Sequence, residues 1–288
     1  MAPPLILTSL ILLPLFAPVG LAQVGPGPAL PQAPLEIKRK PDRVIDTPAL
    51  PPSRITQCLT LARSDPAGAA EQAETWLETA TGSARIEPGH CLGVALTGLG
   101  QLGEAEAAFL AARDDTPAME RANRARLGTM AGNAALAAGS PERALAALDA
   151  AHGEALGAGN PNLAGEISID RARALVLLKR EGDAAAALAS ARTNAPENPA
   201  GWLLSATLSR RQGNLAEAQA QIELAAQLLP VDPEIGLEAG VIAALAGRDD
   251  AARRSFQSVV RAAPGSPAAK AAQGYLDQLG PDTTPSGR

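Results

Sequence analysis

The chain has 288 residues and a formal net charge of −5; 46% of its residues are hydrophobic, yet only 2% are aromatic. A net negative charge argues against a protein that binds the phosphate backbone of nucleic acids. The two histidines and two cysteines lack the paired short spacings of zinc sites. Phosphate-binding glycine loops and serine-nucleophile motifs are also missing from the sequence. Composition therefore favours a non-enzymatic protein that uses no cofactor and no metal.

The first 22 residues have the pattern of an export signal. Residues 5–16 form an apolar run that is shorter than the roughly 20 residues needed to span a bilayer. Gly20 and Ala22 supply the small residues that a signal peptidase reads, which predicts cleavage after Ala22. Lys and Arg are absent before the apolar run, so an uncleaved membrane tether is the alternative. We expect a periplasmic or secreted protein.

The remaining chain divides by composition. Residues 23–53 are rich in proline and predict an extended, disordered linker. Residues 280–288 predict a disordered tail. Residues 54–279 carry helical patterns and predict the folded domain.

Residues 199–266 repeat with a period of 34 positions. Gly213 and Gly247 show this spacing. Three further pairs share it: Ala218 and Ala252, Ile222 and Phe256, Pro230 and Pro264. One helix pair of this size cannot bury its apolar faces alone, so neighbouring pairs are expected to stack into a solenoid.

These positions resemble the tetratricopeptide repeat (TPR) family. The matching residues are Trp202, Gly213, Asn214, Ala218, Ile222, Ala225 and Pro230, then Gly240, Gly247, Ala252, Phe256 and Pro264, with looser blocks around Gly93 to Pro117 and Gly132 to Ala151. The resemblance implies an all-α, right-handed α-solenoid of about six helix pairs, closed by a capping helix at residues 268–279. If the inter-helix turn of one middle unit lies at Gly182, only 31 positions separate it from the next turn at Gly213. This spacing predicts a short second helix in the unit that contains Gly182.

Four helix starts are marked by a capping side chain followed by proline. A side-chain oxygen at the cap accepts an orphan backbone N–H, and proline at the first helical position loses no needed donor. The marked starts are Ser140-Pro141, Asn198-Pro199, Asp232-Pro233 and Ser266-Pro267.

The two cysteines are 33 positions apart, which is almost one repeat. This spacing places Cys58 and Cys91 at similar heights on the first helices of consecutive units. In an oxidising compartment such a pair favours a disulfide. The alternative is two buried free thiols that act as small apolar side chains.

In the TPR family the first helix of each pair lines a concave groove that holds partner peptides or helices. The polar groove candidates carried onto this chain are Asn133, Arg173, Lys179, Arg180, Thr207, Arg210 and Arg211. The family's carboxylate clamp needs Lys and Asn at set positions of one unit, and Asn and basic residues in the next two. Asn133 is the one residue of this chain that matches a clamp position, so the clamp is not supported. The pairs Lys179-Arg180 and Arg210-Arg211 predict a site for an acidic segment. Alternatively, both pairs lie in the last turn of a helix, where cations offset the helix macrodipole by about 0.3–1 kcal/mol each.

The resemblance implies a protein–protein interaction scaffold in the bacterial periplasm or cell envelope that binds a protein or peptide partner. If the basic pairs bind that partner, we expect the bound segment to be acidic. A structural subunit that self-associates through the solenoid ends is one alternative. An accessory regulator of an envelope enzyme is another. Nucleic-acid binding and membrane binding by the solenoid itself are not expected, and the oligomeric state stays open.

We expect the exported protein to begin at Gln23, because the small residues at positions 20 and 22 predict cleavage after Ala22. Intact-mass spectrometry of protein recovered from the envelope fraction tests this start. A mass that retains all 22 leading residues would instead support the membrane tether.

Overall fold

The structure is a computed structural model that describes residues 52–280. The predicted signal segment 1–22 lies outside the described residues, as do almost all of the predicted linker 23–53 and the predicted tail 280–288. The described chain contains thirteen α-helices, a short 3-10 helix at Gly82–Arg85 and no β-strand. The α-helices are α1 (Arg54–Ser64), α2 (Pro66–Thr79), α3 (Ile86–Gly98), α4 (Leu102–Asp115), α5 (Arg121–Ala137), α6 (Pro141–Gly157), α7 (Pro161–Leu177), α8 (Glu181–Asn194), α9 (Pro199–Arg211), α10 (Leu215–Leu228), α11 (Pro233–Leu245), α12 (Asp249–Ala262) and α13 (Pro267–Leu279).

The helices form six consecutive pairs, and α13 closes the C-terminal end. Each helix packs against its neighbours in sequence, and first helices of adjacent units also touch, as α1 with α3, α7 with α9 and α9 with α11. The predicted all-α solenoid with a capping helix is therefore confirmed. Within residues 52–280, no helix combines the length and the apolarity needed to cross a membrane.

Proline marks many of the helix starts, as predicted. Helices α6, α9, α11 and α13 all begin at the expected proline. The side chains of Asn198, Asp232 and Ser266 accept backbone N–H bonds there, whereas Ser140 makes no side-chain cap. Two helices outside the four predicted starts begin in the same way, α2 at Asp65-Pro66 and α7 at Asn160-Pro161.

The turns inside the pairs depend on a left-handed backbone conformation. Gly100, Gly139, Gly213 and Gly247 adopt φ of +69° to +80° at these turns. In the fourth unit Lys179 takes this place with φ of +58°, and it is the single non-glycine residue with positive φ in the described chain. L-residues other than glycine are strained in this region because Cβ crowds the carbonyl oxygen that follows.

This lysine corrects the predicted register of the fourth unit. The turn lies at Lys179, 34 positions before Gly213, and not at Gly182. The prediction of a short second helix is therefore wrong, because α8 has 14 residues, as α10 and α12 do. The additional residues of the middle units lengthen α5, α6 and α7, which have 17 residues each.

The cores of three pairs rest on contact between a glycine and a large residue. A Cβ atom added to Gly240 would lie 2.3 Å from Cε1 of Phe256, which is fully buried. A Cβ atom added to Gly93 would lie 2.5 Å from Phe109, and one added to Gly132 would lie 2.5 Å from Leu148. The first helix therefore needs glycine at these positions so that the second helix can pack at its observed distance.

Helix α13 covers the last pair. The ring of Tyr275 stacks on Phe256 with 5.2 Å between ring centroids, although Tyr275 stays 38% exposed. Leu276 and Leu279 pack against the same cluster. The guanidinium of Arg253 donates to the carbonyl of Gly280 at 2.7 Å, which ties the end of α13 to α12.

We expect Phe256→Ala to lower the free energy of unfolding by about 3–5 kcal/mol, because it removes a fully buried aromatic ring. Gly240→Ala should cost about 1–3 kcal/mol through overpacking against that ring. Gly153→Ala on α6 is the matched control: its added Cβ meets no atom within 4 Å, so helix propensity should make it stabilising by about 0.5–1 kcal/mol. Urea denaturation measures all three. A Phe256→Ala cost below about 1 kcal/mol would contradict the packing register.

We also expect Lys179→Gly to raise the free energy of unfolding by about 1 kcal/mol, because glycine relieves the left-handed strain. Gly213→Ala makes the reverse change at the equivalent turn and should be destabilising by a similar amount. Both variants can be compared with the wild type in the same denaturation assay. A loss of stability in Lys179→Gly would show that the lysine side chain contributes more than its backbone strain costs.

Candidate partner-binding surface

Three groove candidates meet at an apolar pocket between α7 and α9. The pocket has a volume of about 280 Å³, and nearly all of its exposed lining atoms are carbon. Its lining residues are Ala172, Arg173, Val176, Leu177, Leu188, Leu204, Thr207, Leu208 and Arg211. The structure thus brings Arg173, Thr207 and Arg211 together across two consecutive first helices.

The two pocket arginines hold their charged groups away from the cavity. Arg173 pairs with Asp170 three residues earlier, and Arg211 pairs with Glu181 at 3.2 Å. Because the lining is carbon-rich, the arginines contribute mainly their aliphatic stems to the pocket wall. An apolar floor with cationic groups at its edge can receive an uncharged side chain.

Asn133 joins this surface from the preceding unit. Its side-chain amide donates to Oδ2 of Asp170 at 3.0 Å, and Oδ1 of the same carboxylate binds Arg173. Asp170 was not among the candidates, since a carboxylate contributed nothing to a predicted basic site. It links α5 to α7 and orients Arg173 beside the pocket.

Arg210 does not face a ligand site but bridges two helices. Its Nε and Nη2 donate to the two carboxylate oxygens of Glu238 at 2.6 and 3.3 Å. The side chains of Arg210 and Glu238 are only 22% and 12% exposed. This bidentate pair joins α9 to α11, so Arg210 is committed to holding adjacent units together.

The structure also corrects the placement of the other basic pair. Lys179 lies in the turn after α7, and Arg180 is the N-cap residue of α8, so neither lies in the last turn of a first helix. Arg180 pairs with Asp183 at 2.7 Å on the surface. The last-turn explanation applies to Arg210 and Arg211 alone. Lys179-Arg180 and Arg210-Arg211 are therefore not equivalent positions of two units.

The two cysteines form a disulfide in the structure. Cys58 on α1 and Cys91 on α3 are fully buried, and their Cα atoms are 6.1 Å apart. A bridge requires Cα atoms within about 7 Å, which the contact between these two first helices provides. The oxidised state of the exported protein stays a prediction.

The two histidines lie in environments that favour the neutral ring. Burial lowers the pKa of His90, whose ring lies 6.3 Å from that of Phe109. Burial and then the Arg171 cation lower the pKa of His152, while Asp149 raises it. Over residues 52–280, no group of three or more His, Cys, Asp or Glu side chains is placed to hold a metal ion.

No protein-family model and no curated protein sequence matches this chain. Solved structures do resemble it. PilF of Pseudomonas aeruginosa has a TM-score of 0.60 at 18% identity, covering 77% of this chain and 95% of PilF. PilW, a widely conserved type IV pilus biogenesis factor, has a TM-score of 0.60 at 16% identity, covering 76% of this chain and 98% of PilW. YrrB, a TPR protein with an unusual peptide-binding site, has a TM-score of 0.50 at 20% identity, covering 71% of this chain and 99% of YrrB. At these identities the likeness concerns the fold, and it confirms that the chain has the TPR fold.

We expect mature protein to show no free thiol under denaturing conditions. The double variant Cys58→Ser/Cys91→Ser should lower the free energy of unfolding by about 3–4 kcal/mol, because the bridge restricts the unfolded chain. Adding a reductant to the wild type should reproduce the effect, and adding it to the double variant should change nothing. Two titratable thiols in the exported protein would refute the bridge.

Proposed function

Because the chain folds as a TPR solenoid, we propose that it is a non-enzymatic scaffold of the bacterial cell envelope that binds a protein or peptide partner. The partner lies on the surface formed by the first helices α5, α7, α9 and α11. Solenoids of this kind provide extended surfaces that suit a segment of chain better than a small molecule.

The pocket between α7 and α9 is the observation that carries this proposal. Its volume of about 280 Å³ is slightly below the roughly 300–1,000 Å³ of sites for drug-sized ligands. It exceeds the roughly 150 Å³ of an engineered cavity that holds benzene. The size therefore suits one bulky side chain of a partner, and the surrounding first-helix surface is available to the rest of the partner.

Two further observations support the cellular setting and the ligand class. The predicted export signal at residues 1–22 favours a periplasmic or envelope location. Among proteins with a similar fold, PilW is a type IV pilus biogenesis factor and YrrB has a peptide-binding site. A role in assembling an envelope machine is consistent with both.

Photo-crosslinking in the native host tests the surface. We expect a photoreactive residue at Thr207, inside the pocket, to give one discrete adduct with another protein. The same residue at Gln227, exposed on the second helix α10, is the matched control and should give none. Equal labelling from both positions would contradict the assignment of the surface. An adduct between two copies of this chain would instead favour a self-associating subunit.

A further inference from the structure

We propose that the surface recognises an extended acidic segment in which a Glu or Asp lies between two bulky apolar residues, one of which fills the pocket. This inference rests on the proposed function, because it names the chemistry of the partner that the first-helix surface would bind.

The inference starts from a row of equivalent residues on three first helices. Leu177, Arg211 and Leu245 are separated by 34 positions each, so they occupy the same place on α7, α9 and α11. Leu177 and Leu245 are 59% and 58% exposed, and the Arg211 side chain is 47% exposed, so all three side chains are accessible to a partner. The surface therefore presents an apolar, a cationic and an apolar group in that order.

The spacing of this row sets the spacing of the partner's residues. Helices in contact lie about 8–10 Å apart, and α9 touches both α7 and α11. An extended chain advances about 3.3 Å per residue, so three residues cover one such step. The matching segment carries apolar residues about three positions before and three positions after its carboxylate.

Exposure determines the sign of the charge that a partner meets. In the pair beside the pocket, the Arg173 side chain is 51% exposed and that of Asp170 is 14% exposed. Asp170 is also satisfied by Asn133, so its oxygens already have donors. The cations are thus more accessible than the anions. Glu181, the partner of Arg211, is itself 41% exposed, so this surface pair is weak and an incoming carboxylate can replace it.

Selection of random peptides displayed on phage against the full-length wild-type protein tests this chemistry. We expect enriched peptides to carry Glu or Asp with a Leu, Ile, Met or Phe about three positions to either side. Fluorescence anisotropy of an enriched peptide then measures affinity. A synthetic version with Gln in place of its acidic residue should bind about tenfold more weakly.

Two protein variants locate the contact, each with a matched control. Leu177→Glu should weaken peptide binding about tenfold, because it adds an anion beside the pocket. Leu156→Glu changes an exposed leucine on the second helix α6, away from the row, and should leave peptide binding as in the wild type. Arg173→Gln/Arg211→Gln should weaken binding and abolish its dependence on salt. Arg254→Gln/Arg261→Gln removes two exposed charges on α12 and should leave the salt dependence as in the wild type.

The outcomes separate this inference from the function on which it rests. The acidic motif is overturned if the enriched peptides lack carboxylates. It is also overturned if peptide affinity is unchanged by salt and by Arg173→Gln/Arg211→Gln. Either result leaves peptide binding itself in place. Peptides that bind the wild type and Leu177→Glu equally would overturn the pocket as their site. If no peptide is enriched over a surface without protein, the proposed peptide-binding function fails as well.

Discussion

The fold depends on one contact, in which a residue with little or no side chain on a first helix faces a bulky residue 16 positions later on the second helix. Five successive units carry such a pair: Gly93 and Phe109, Gly132 and Leu148, Ala172 and Leu188, Ala206 and Ile222, and Gly240 and Phe256. The glycine pairs are in close contact, and the members of each alanine pair lie in one hydrophobic cluster. All but one of these large residues are at most 2% exposed, and Phe109 is 3% exposed. A chain so poor in aromatic residues obtains its burial by bringing helices close together, because alanine buries little area itself.

The same contact shapes the proposed binding surface. Ala172 and Leu188 form one of the small-to-large pairs, and both also line the pocket between α7 and α9. The pocket floor is thus part of the core and is held rigidly, while the rim consists of arginine stems whose charged ends are paired elsewhere. Rigid walls reduce the ordering cost of a bound side chain. Charged pairs between helices, above all Arg210 with Glu238, fix the distance between adjacent units across which a partner would extend.

Residues within one unit were predictable from the sequence, whereas interactions between units were not. The repeat positions of Gly240 and Phe256 and the proline starts followed from local chemistry that recurs along the chain, and the structure then showed that the two residues are in contact. Lys179 was not recognised as the turn residue because a left-handed turn was expected to require glycine. The turn was therefore placed at Gly182, and α8 was predicted to be too short. Asp170 and Glu238 were missed for a different reason. Glu238 reaches Arg210 from α11, and Asp170 accepts from Asn133 of α5, so only the relative placement of units shows these contacts.

The bridge between Cys58 and Cys91 gives the solenoid two unequal ends. It couples the first helices of the first two units, whereas the opposite end is held by the stacking of Tyr275 on Phe256 and by the hydrogen bonds from Arg253. Solenoid energetics are set by nearest neighbours, so disruption spreads inward from whichever terminus yields first. With the bridge formed, we expect the C-terminal helix α13 to detach before the end that holds the disulfide. A partner that pulls on α13 would therefore disrupt the last units before the pocket between α7 and α9, while the disulfide still holds α1 against α3.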